Sequence, residues 1–283
     1  MSQPKPSSPV TANPWQALRQ FTDARIALGR AGVSLPTGAH LAFQLDHAKA
    51  RDAVHLPLDV AAVRQSLAAL AGFTGAPILT LHSACADRAA YLQRPDLGRQ
   101  LDTASREQLT TLPPGRDAQA QPRYDLAFVV VDGLSAFAIH QNASAFLATM
   151  QARIAAENWV VAPLSIVELG RVAVGDEVGQ LLRAKLVVVL IGERPGLSSP
   201  DSMGLYLTWM PKVGLTDVSR NCISNVRLAG LSYEDAAYKL HYLLSQSLRR
   251  RLSGVDLKDE TGDETQSVLP PRANFLIKQR LGH

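Results

Sequence analysis

This chain of 283 residues has no long apolar run, only two cysteines, and no stretch at its start with the layout of a secretion signal. The longest apolar run, at 186–191, is much shorter than the roughly 20 residues that cross a bilayer as a helix. The first residues lack the basic and then apolar layout of a signal peptide, which predicts a cytoplasmic protein without membrane contact. Cys85 and Cys222 have no close cysteine partner, so neither a thiolate zinc site nor a disulfide is expected.

Signatures of nucleotide, nucleic-acid and metal binding are missing as well. Neither the Gly-x-Gly-x-x-Gly fingerprint of dinucleotide sites nor a Walker A motif occurs in the sequence. The net charge of +4 is small, and the arginine triplet at 249–251 fits the last turn of a helix, where cations complement the helix dipole. We therefore expect no nucleic-acid partner. His40, His47 and His55 are interpreted as core or surface residues, so no metal site is predicted.

Composition divides the chain into four segments. Residues 1–12 are rich in Pro and Ser, which is typical of a flexible tail. Residues 13–115 show mainly helical spacing of apolar side chains. After a polar, proline-rich stretch, residues 120–258 form a second unit, and residues 259–283 are a C-terminal extension that opens with an acidic linker.

Capping residues mark where several helices begin. Asn13 stands before a proline, which predicts a helix start, and a further helical pattern begins near Thr37. The last long helix opens at Ser232, where Asp235 completes a variant of the capping box. Gly254 is its predicted C-terminal cap.

In the second unit, apolar runs alternate with amphipathic helices. Strands are predicted at 126–131, 159–167, 185–191 and 204–210, with helices at 135–157 and 175–184, and a further strand at 77–81 in the first unit. Buried strands that are separated by helices indicate a parallel sheet covered on both faces. The sequence therefore predicts an α/β protein, with a helical N-terminal region followed by a Rossmann-like domain whose sheet is mainly parallel.

Three polar segments follow the predicted strands, where doubly wound sheets bind their ligands. They are Asp-Gly-Leu-Ser at 132–135, Gly-Glu-Arg-Pro-Gly at 192–196, and Arg-Asn-Cys-Ile-Ser-Asn at 220–225. Each also has a purely structural interpretation. Ser135 can cap a helix, Glu193 and Arg194 can form a solvated pair in a loop, and Cys222 can be a small buried hydrophobic residue. No nucleophile, base and orienting group occur together, so no catalytic residue is predicted.

Six short motifs give the chain a family resemblance. They are Gly-Arg-Ala-Gly at 29–32, Arg-Pro-Asp-Leu-Gly-Arg at 94–99, Asp-Gly-Leu-Ser at 132–135, Gly-Arg-Val at 170–172, Gly-Glu-Arg-Pro-Gly-Leu at 192–197 and Cys-Ile-Ser-Asn at 222–225. In this order and spacing, they resemble the small subunit of ethanolamine ammonia-lyase. The resemblance runs from about Asn13 to Gly254, and residues after about Asp259 exceed the usual end of the family.

The resemblance implies a subunit of an adenosylcobalamin-dependent lyase that converts ethanolamine to acetaldehyde and ammonia. In the family, homolysis of the cobalt–carbon bond starts the reaction. A large subunit with a TIM barrel holds the substrate, and the small subunit packs on the cofactor at the interface of a hetero-oligomer. This division agrees with the missing catalytic set. Some members use a longer N-terminal tail for encapsulation in a bacterial microcompartment, and the short tail here leaves that localisation open.

The resemblance also implies which residues contact the cofactor. The family's cobalamin contacts fall on Val172, Glu193 and Cys222. A carboxylate at 193 can accept N–H groups from the corrin amides, Val172 can touch the ring edge, and the small Cys222 allows a close approach. Arg194 is a further candidate, for a cofactor phosphate or for Glu193. No Asp-x-His-x-x-Gly element occurs, which favours cobalamin that keeps its own base on cobalt.

Two alternatives remain open at this point. One is a stand-alone Rossmann-like enzyme that uses a nucleotide, with Ser135 or Glu193 in an acid–base role. The other is a purely structural subunit that stabilises a larger chain without touching the cofactor.

Overall fold

A central sheet of six strands organises the part of the chain that our computed structural model describes, residues 8–68, 70, 77–112 and 123–262. The strands are β1 (Leu79–His82), β2 (Tyr124–Val131), β3 (Ser165–Glu168), β4 (Ala184–Gly192), β5 (Met203–Trp209) and β6 (Arg220–Val226). Their spatial order is β1-β3-β2-β4-β5-β6. The first four in this order are parallel, whereas β5 and β6 are antiparallel to their neighbours. The prediction of an α/β fold with a mainly parallel sheet is confirmed.

Helices flank the sheet and make up most of the N-terminal region. The α-helices are α1 (Thr37–His55), α2 (Val60–Ala68), α3 (Arg88–Gln93), α4 (Thr103–Thr110), α5 (Ala136–Ile154), α6 (Val174–Leu182) and α7 (Tyr233–Arg250). Short 3-10 helices cover Pro14–Phe21, Leu97–Arg99, Asp217–Ser219 and Gly254–Asp256. Among the described residues, no helix is long and apolar enough to cross a membrane.

Side chains of the buried strands alternate between two hydrophobic cores. Phe128 and Val130 face the core that α5 and α7 cover, whereas Val129 and Val131 face a second core beneath α4 and α6. Strands buried on both faces explain the unbroken β-branched run of β2. On one face of the sheet, α6 packs against β4 and β2. Strand β6 lies at the edge of the sheet, and its Cys222 is exposed.

The N-terminal region contributes to this sheet. The predicted strand at 77–81 is confirmed as β1, which pairs with β3 along one edge. Asn13 caps the first helix, since its Oδ1 accepts the backbone N–H of Trp15 at 2.9 Å. The division into a flexible tail, a helical region, a Rossmann-like domain and an extension stays a prediction. Residues 1–7, 113–122 and 263–283, on which parts of it depend, lie outside the described residues.

Two predicted boundaries are wrong, each for a local reason, and one strand was not predicted. The predicted strand at 159–167 shrinks to β3, because Pro163 has no N–H for the ladder. Helix α7 ends at Arg250, where Arg251 adopts the left-handed conformation predicted for Gly254. The polar segment at 220–225, for which the sequence predicted no secondary structure, forms strand β6.

Candidate functional site

The crevice at the switch point of the sheet, between the ends of β2 and β4, is filled by backbone. The N–H of Leu134 donates to the carbonyl of Gly192 at 2.9 Å. A Cβ at Gly133 would lie 2.3 Å from that carbonyl oxygen, and Gly133 has a φ of 58°. These glycines bring two loops into direct contact. The place where doubly wound folds bind nucleotides is therefore closed in this molecule.

Asp132, at the end of β2, holds neighbouring loops together. Its buried carboxylate accepts the backbone N–H groups of Gly133 at 2.8 Å and Gly170 at 3.2 Å. The Arg88 guanidinium lies 3.3 Å away. Burial raises the pKa of Asp132 to about 6, against the opposing effect of Arg88. This carboxylate fixes the segment that leads into Val172.

Ser135 has the structural role that the sequence offered as an alternative to catalysis. Its buried hydroxyl accepts the N–H of Ala138 at 3.1 Å, and so caps α5. The same hydroxyl donates to the carbonyl of Pro200 at 2.7 Å. Both bonds occupy the oxygen that an acid–base role would need.

Glu193 follows β4 and points its carboxylate at the neighbouring antiparallel strands. Oε1 accepts the Ser224 hydroxyl at 2.6 Å, while Oε2 accepts the Ser202 hydroxyl at 2.5 Å and the N–H of Asn225 at 3.2 Å. Arg194 is exposed. The interpretation of Glu193 and Arg194 as a solvated loop pair is therefore wrong for Glu193, whose carboxylate is held in place by Ser202, just before β5, and by two residues of β6.

This arrangement leaves the Glu193 carboxylate with room for a ligand. A carboxylate has about four acceptor positions, and protein donors occupy three of them. Among the described residues, one acceptor position remains unoccupied on this half-buried, oriented anion. The group can therefore bind one more N–H donor without giving up a bond within the protein.

Cys222 lies opposite Tyr206, its partner in the β5–β6 ladder. The residue is exposed, so the prediction of a small buried hydrophobic residue is wrong. Protein atoms on its inner side desolvate the thiol and raise its pKa, and Glu193 adds to the rise. A hydrogen bond from the Tyr206 hydroxyl opposes it. A raised pKa keeps the thiol neutral, which is unfavourable for a nucleophile.

Val172 precedes α6 and packs, half-buried, on the second core. It lines a cavity of about 410 Å³ together with Arg220 of β6. Arg220 lies two residues before Cys222, and its buried guanidinium forms an ion pair with Asp176 on α6. This pair joins the helix that follows Val172 to the strand that carries Cys222.

Sequence reasoning identified Glu193 and Cys222 but missed the residues that position them. Ser202 and Tyr206 were not candidates. Arg220 and Ser224 belong to the polar segment at 220–225, but they were given no role there. The signal was present in β6, where Arg220, Cys222 and Ser224 alternate with Asn221, Ile223 and Asn225. Period-two spacing places them on one face of a strand, but no strand was predicted for this segment.

Comparisons with known proteins agree on one family. The sequence pattern of the family described as ethanolamine ammonia-lyase light chain matches residues 12–258. The chain is 57% identical over 266 residues to the ethanolamine ammonia-lyase small subunit of Pseudomonas aeruginosa (strain LESB58), with 94% of each chain covered. It is 55% identical over 282 residues to that of Pseudomonas fluorescens (strain SBW25), with 98% of each covered. The small subunit of Ralstonia nicotianae is 57% identical over 269 residues, which cover 95% of this chain and 96% of that one.

Proposed function

The chain belongs to the ethanolamine ammonia-lyase light-chain family, and on this premise we propose that it forms one wall of an adenosylcobalamin site. A larger partner chain completes the site. The complex converts ethanolamine to acetaldehyde and ammonia, and when bound the cofactor supplies the radical chemistry that the side chains lack. The partner, a TIM barrel, holds the substrate. The small subunit binds and orients the cofactor and excludes water.

The observation that carries this proposal is the free acceptor position of Glu193. Corrin rings bear amide side chains around their rim, and an oriented carboxylate is a strong acceptor for such N–H groups. Three protein donors hold the Glu193 carboxylate, so little conformational entropy is lost when an amide binds to it. The residues present therefore fit this cofactor.

The other predicted contacts suit the flat edge of a large ring. Cys222 is exposed on a strand beside Glu193 and carries a small neutral side chain. Val172 offers apolar contact at the rim of the neighbouring cavity. Arg194 is exposed next to Glu193 and is assigned to the periphery of the cofactor. Together these four residues, Val172, Glu193, Arg194 and Cys222, form the proposed cofactor surface.

A partner chain is supported by apolar side chains that the fold leaves exposed. Several of them lie in the N-terminal region of the chain, at Trp15, Val33, Leu35, Leu41 and Leu45. Leu41 and Leu45 are 62% and 57% exposed on α1 and, four residues apart, share one helix face. Large exposed apolar patches mark interaction sites. We assign this patch to the hetero-oligomer with the large subunit.

Under the same proposal, only the complex of both subunits has lyase activity, and the isolated chain has none. The sequence contains no set of nucleophile, base and orienting group, and the Ser135 hydroxyl is occupied as a helix cap. We place the complex in the cytoplasm, with encapsulation in a microcompartment left as an alternative. The stand-alone nucleotide enzyme is disfavoured because the switch-point crevice is filled by Gly133 and Gly192.

Substitution of Glu193 tests the proposal. Loss of a hydrogen bond to a charged acceptor costs about 1.5–3 kcal/mol, so Glu193→Ala should weaken adenosylcobalamin binding to the complex roughly 10- to 150-fold. Glu193→Gln retains one acceptor oxygen and should have a smaller effect. Equilibrium titration of the assembled complex, followed by the corrin spectrum, gives both dissociation constants.

The matched control is Glu157→Ala, whose carboxylate binds His241 of α7, away from the site. It should leave cobalamin binding unchanged. An unaltered dissociation constant in Glu193→Ala, with the complex intact, would exclude Glu193 from the cofactor site and favour the purely structural subunit.

A further inference from the structure

The acidic start of the C-terminal extension is bonded to the outer side of α7. The Lys239 ammonium group donates to Oδ2 of Asp259 at 2.8 Å and to Oγ1 of Thr261 at 2.9 Å. The Tyr242 hydroxyl donates to the Glu260 carboxylate at 2.9 Å. Three successive residues of the extension are therefore fixed on this helix, and the chain that follows them starts beside Tyr242.

Tyr242 belongs to a row of partly exposed rings. Tyr238, four residues earlier, lies on the same face of α7. His241 stacks on Trp159, with 5.8 Å between the ring centroids. The Arg153 guanidinium lies 5.4 Å from the centroid of the Tyr238 ring. We call the rings of Tyr238, His241, Tyr242 and Trp159, all of them partly exposed, the aromatic stripe.

Acidic side chains flank the aromatic stripe. Glu234 is exposed one turn before Tyr238, and the Glu157 carboxylate lies 2.8 Å from Nε2 of His241. Partly exposed rings are the surface on which proline-rich segments dock. The neighbouring carboxylates add a preference for a basic residue beside the prolines.

The same chain carries a segment of that chemistry beyond Gly262. Residues 263–283 lie outside the described residues, and positions 268–277 read Val-Leu-Pro-Pro-Arg-Ala-Asn-Phe-Leu-Ile. Pro270 and Pro271 reduce the backbone entropy that is lost on docking. Arg272 follows them directly and supplies the basic residue, while Val268 and Phe275 supply apolar surface.

The length of the connection permits this contact within one chain. Six peptide units join Gly262 to Val268 and span at most about 22 Å. Lys239 and His241 are two residues apart, so they point to opposite sides of α7. A helix with its side chains is only about 10–12 Å across. The segment can therefore cross the outer side of α7 from Lys239 to the rings of His241 and Trp159.

We propose that residues 268–277 dock on the aromatic stripe of their own chain, with the two prolines against the rings and Arg272 beside Glu234. The extension then continues the attachment that Asp259, Glu260 and Thr261 begin. It acts as a strap across α7. This inference does not depend on the cofactor role proposed above, because no residue of the proposed cofactor surface takes part.

Hydrogen–deuterium exchange of the full chain, followed by mass spectrometry, tests the strap. Amides of the docked segment should exchange at least about 10-fold more slowly than those of an unstructured peptide of the same sequence. In Tyr238→Ala this protection should fall about 10-fold, because the ring that the prolines contact is lost. The double variant Pro270→Ser, Pro271→Ser should have the same effect, and it leaves every described residue unchanged.

A charge exchange tests the orientation of the segment. Glu234→Lys should lower the protection about two- to fivefold, as expected for a partly exposed ion pair. Adding Arg272→Glu to Glu234→Lys should restore it. If the double variant is no better protected than Glu234→Lys, Arg272 does not lie beside Glu234 and the proposed orientation is wrong.

Leu228→Ala is the control, since Leu228 is 86% exposed before α7 and outside the stripe. It should leave exchange of the segment unchanged. Unprotected amides at 268–277 in the wild-type chain would overturn the proposal. Protection that disappears on dilution would also overturn it, because the stripe would then bind a second copy. So would protection of α7 that arises only with the large subunit while the segment stays unprotected.

Discussion

Two carboxylates at the ends of neighbouring strands show how surroundings set the role of a residue. Asp132 is buried and receives two backbone N–H groups and Arg88. Glu193 is half-buried and is held by two hydroxyls and one N–H, with one acceptor position free. The first group can only stabilise the loops around it, whereas the second can also bind a ligand. Residue type alone does not distinguish them.

The buried Asp132 should make stability depend on pH. Its folded-state pKa, about 6, lies above that of an exposed aspartate. The stabilising contribution of the protonated form is thus complete below about pH 4 and is lost as pH rises through about 6. Relative to Asp132→Asn, the wild type should lose on the order of 1–3 kcal/mol of unfolding free energy over this interval. Urea unfolding of the dilute isolated chain, followed by tryptophan fluorescence, measures the difference at each pH.

Asp176 is also buried with a pKa raised to about 6, so it changes stability in the same direction. Because Asp176 is present in both proteins, its contribution cancels when the unfolding free energy of Asp132→Asn is subtracted from that of the wild type at each pH. Exposed Asp23→Asn is the control and should follow the wild type. A constant difference between wild type and Asp132→Asn from pH 4 to pH 7 would mean that Asp132 stays ionised, held by Arg88.

Among the elements, α7 shows how a helix ends without glycine. Arg251 follows the helix with a φ of 59°, and its N–H donates to the carbonyl of Ser247 at 2.8 Å. The left-handed conformation costs residues other than glycine about 1–2 kcal/mol. The chain accepts this cost because the next residues pack back on the core, where Leu257 is 2% exposed.

Glycine at this position should therefore stabilise the protein. We expect Arg251→Gly to raise the unfolding free energy by about 0.5–1 kcal/mol, after the larger freedom of glycine in the unfolded chain is counted. Arg251→Val should lower it by about 1–2 kcal/mol, because a β-branched side chain is strained there. Chemical denaturation of the three proteins gives the values.

The neighbouring position is the matched control for this helix end. Arg250→Gly lies within the helix and should lower stability by about 1 kcal/mol. If glycine has the same sign of effect at positions 250 and 251, the left-handed cap is not the reason for the gain.

At the scale of the whole molecule, the chain presents two different surfaces. The apolar patch of Trp15, Val33, Leu35, Leu41 and Leu45 lies in the N-terminal region. The proposed cofactor surface of Val172, Glu193, Arg194 and Cys222 combines the segment before α6 with the loop after β4 and with β6. A small subunit that both holds a partner and closes a cofactor site needs both kinds of surface.

Substitutions on α1 should therefore impair assembly without unfolding the chain. Burial of one leucine contributes about 1.5–3 kcal/mol, so Leu41→Lys and Leu45→Lys should each weaken subunit association roughly 10- to 150-fold. Lyase turnover should fall with the fraction of complex formed. Titration of this chain into the large subunit, with adenosylcobalamin and ethanolamine present, measures both quantities.

Val255→Lys is the control, since Val255 is 54% exposed in the 3-10 helix Gly254–Asp256, outside the patch. The isolated wild-type chain should give no turnover and should self-associate, and the α1 variants should self-associate less. Turnover by this chain alone would contradict the partner model. Full assembly of the Leu41→Lys, Leu45→Lys double variant would remove the patch from the interface.

The sequence by itself determined the features that depend on a few neighbouring residues. The β-branched runs of β2 and β4 identified buried strands. Asn13 and Ser232 were correctly predicted as helix caps, and of the two interpretations left open for Ser135 the cap is the one that the structure shows. Hydrophobic periodicity and side-chain capping act over one or two turns or one strand. They can therefore be interpreted before the fold is known. The motif resemblance added the family, which the comparisons confirm.

Only the tertiary structure decided how the proposed site is held together. Glu193 binds Ser224 from 31 residues away, and Arg220 pairs with Asp176 across 44 residues. Strand β6 was not predicted because it is polar on its accessible face, and propensity is weak on an edge strand with only one buried face. Which side chains meet across β4, β5 and β6 depends on strand order and direction. Local patterns carry no information about either, because both follow from packing the whole sheet between two layers of helices.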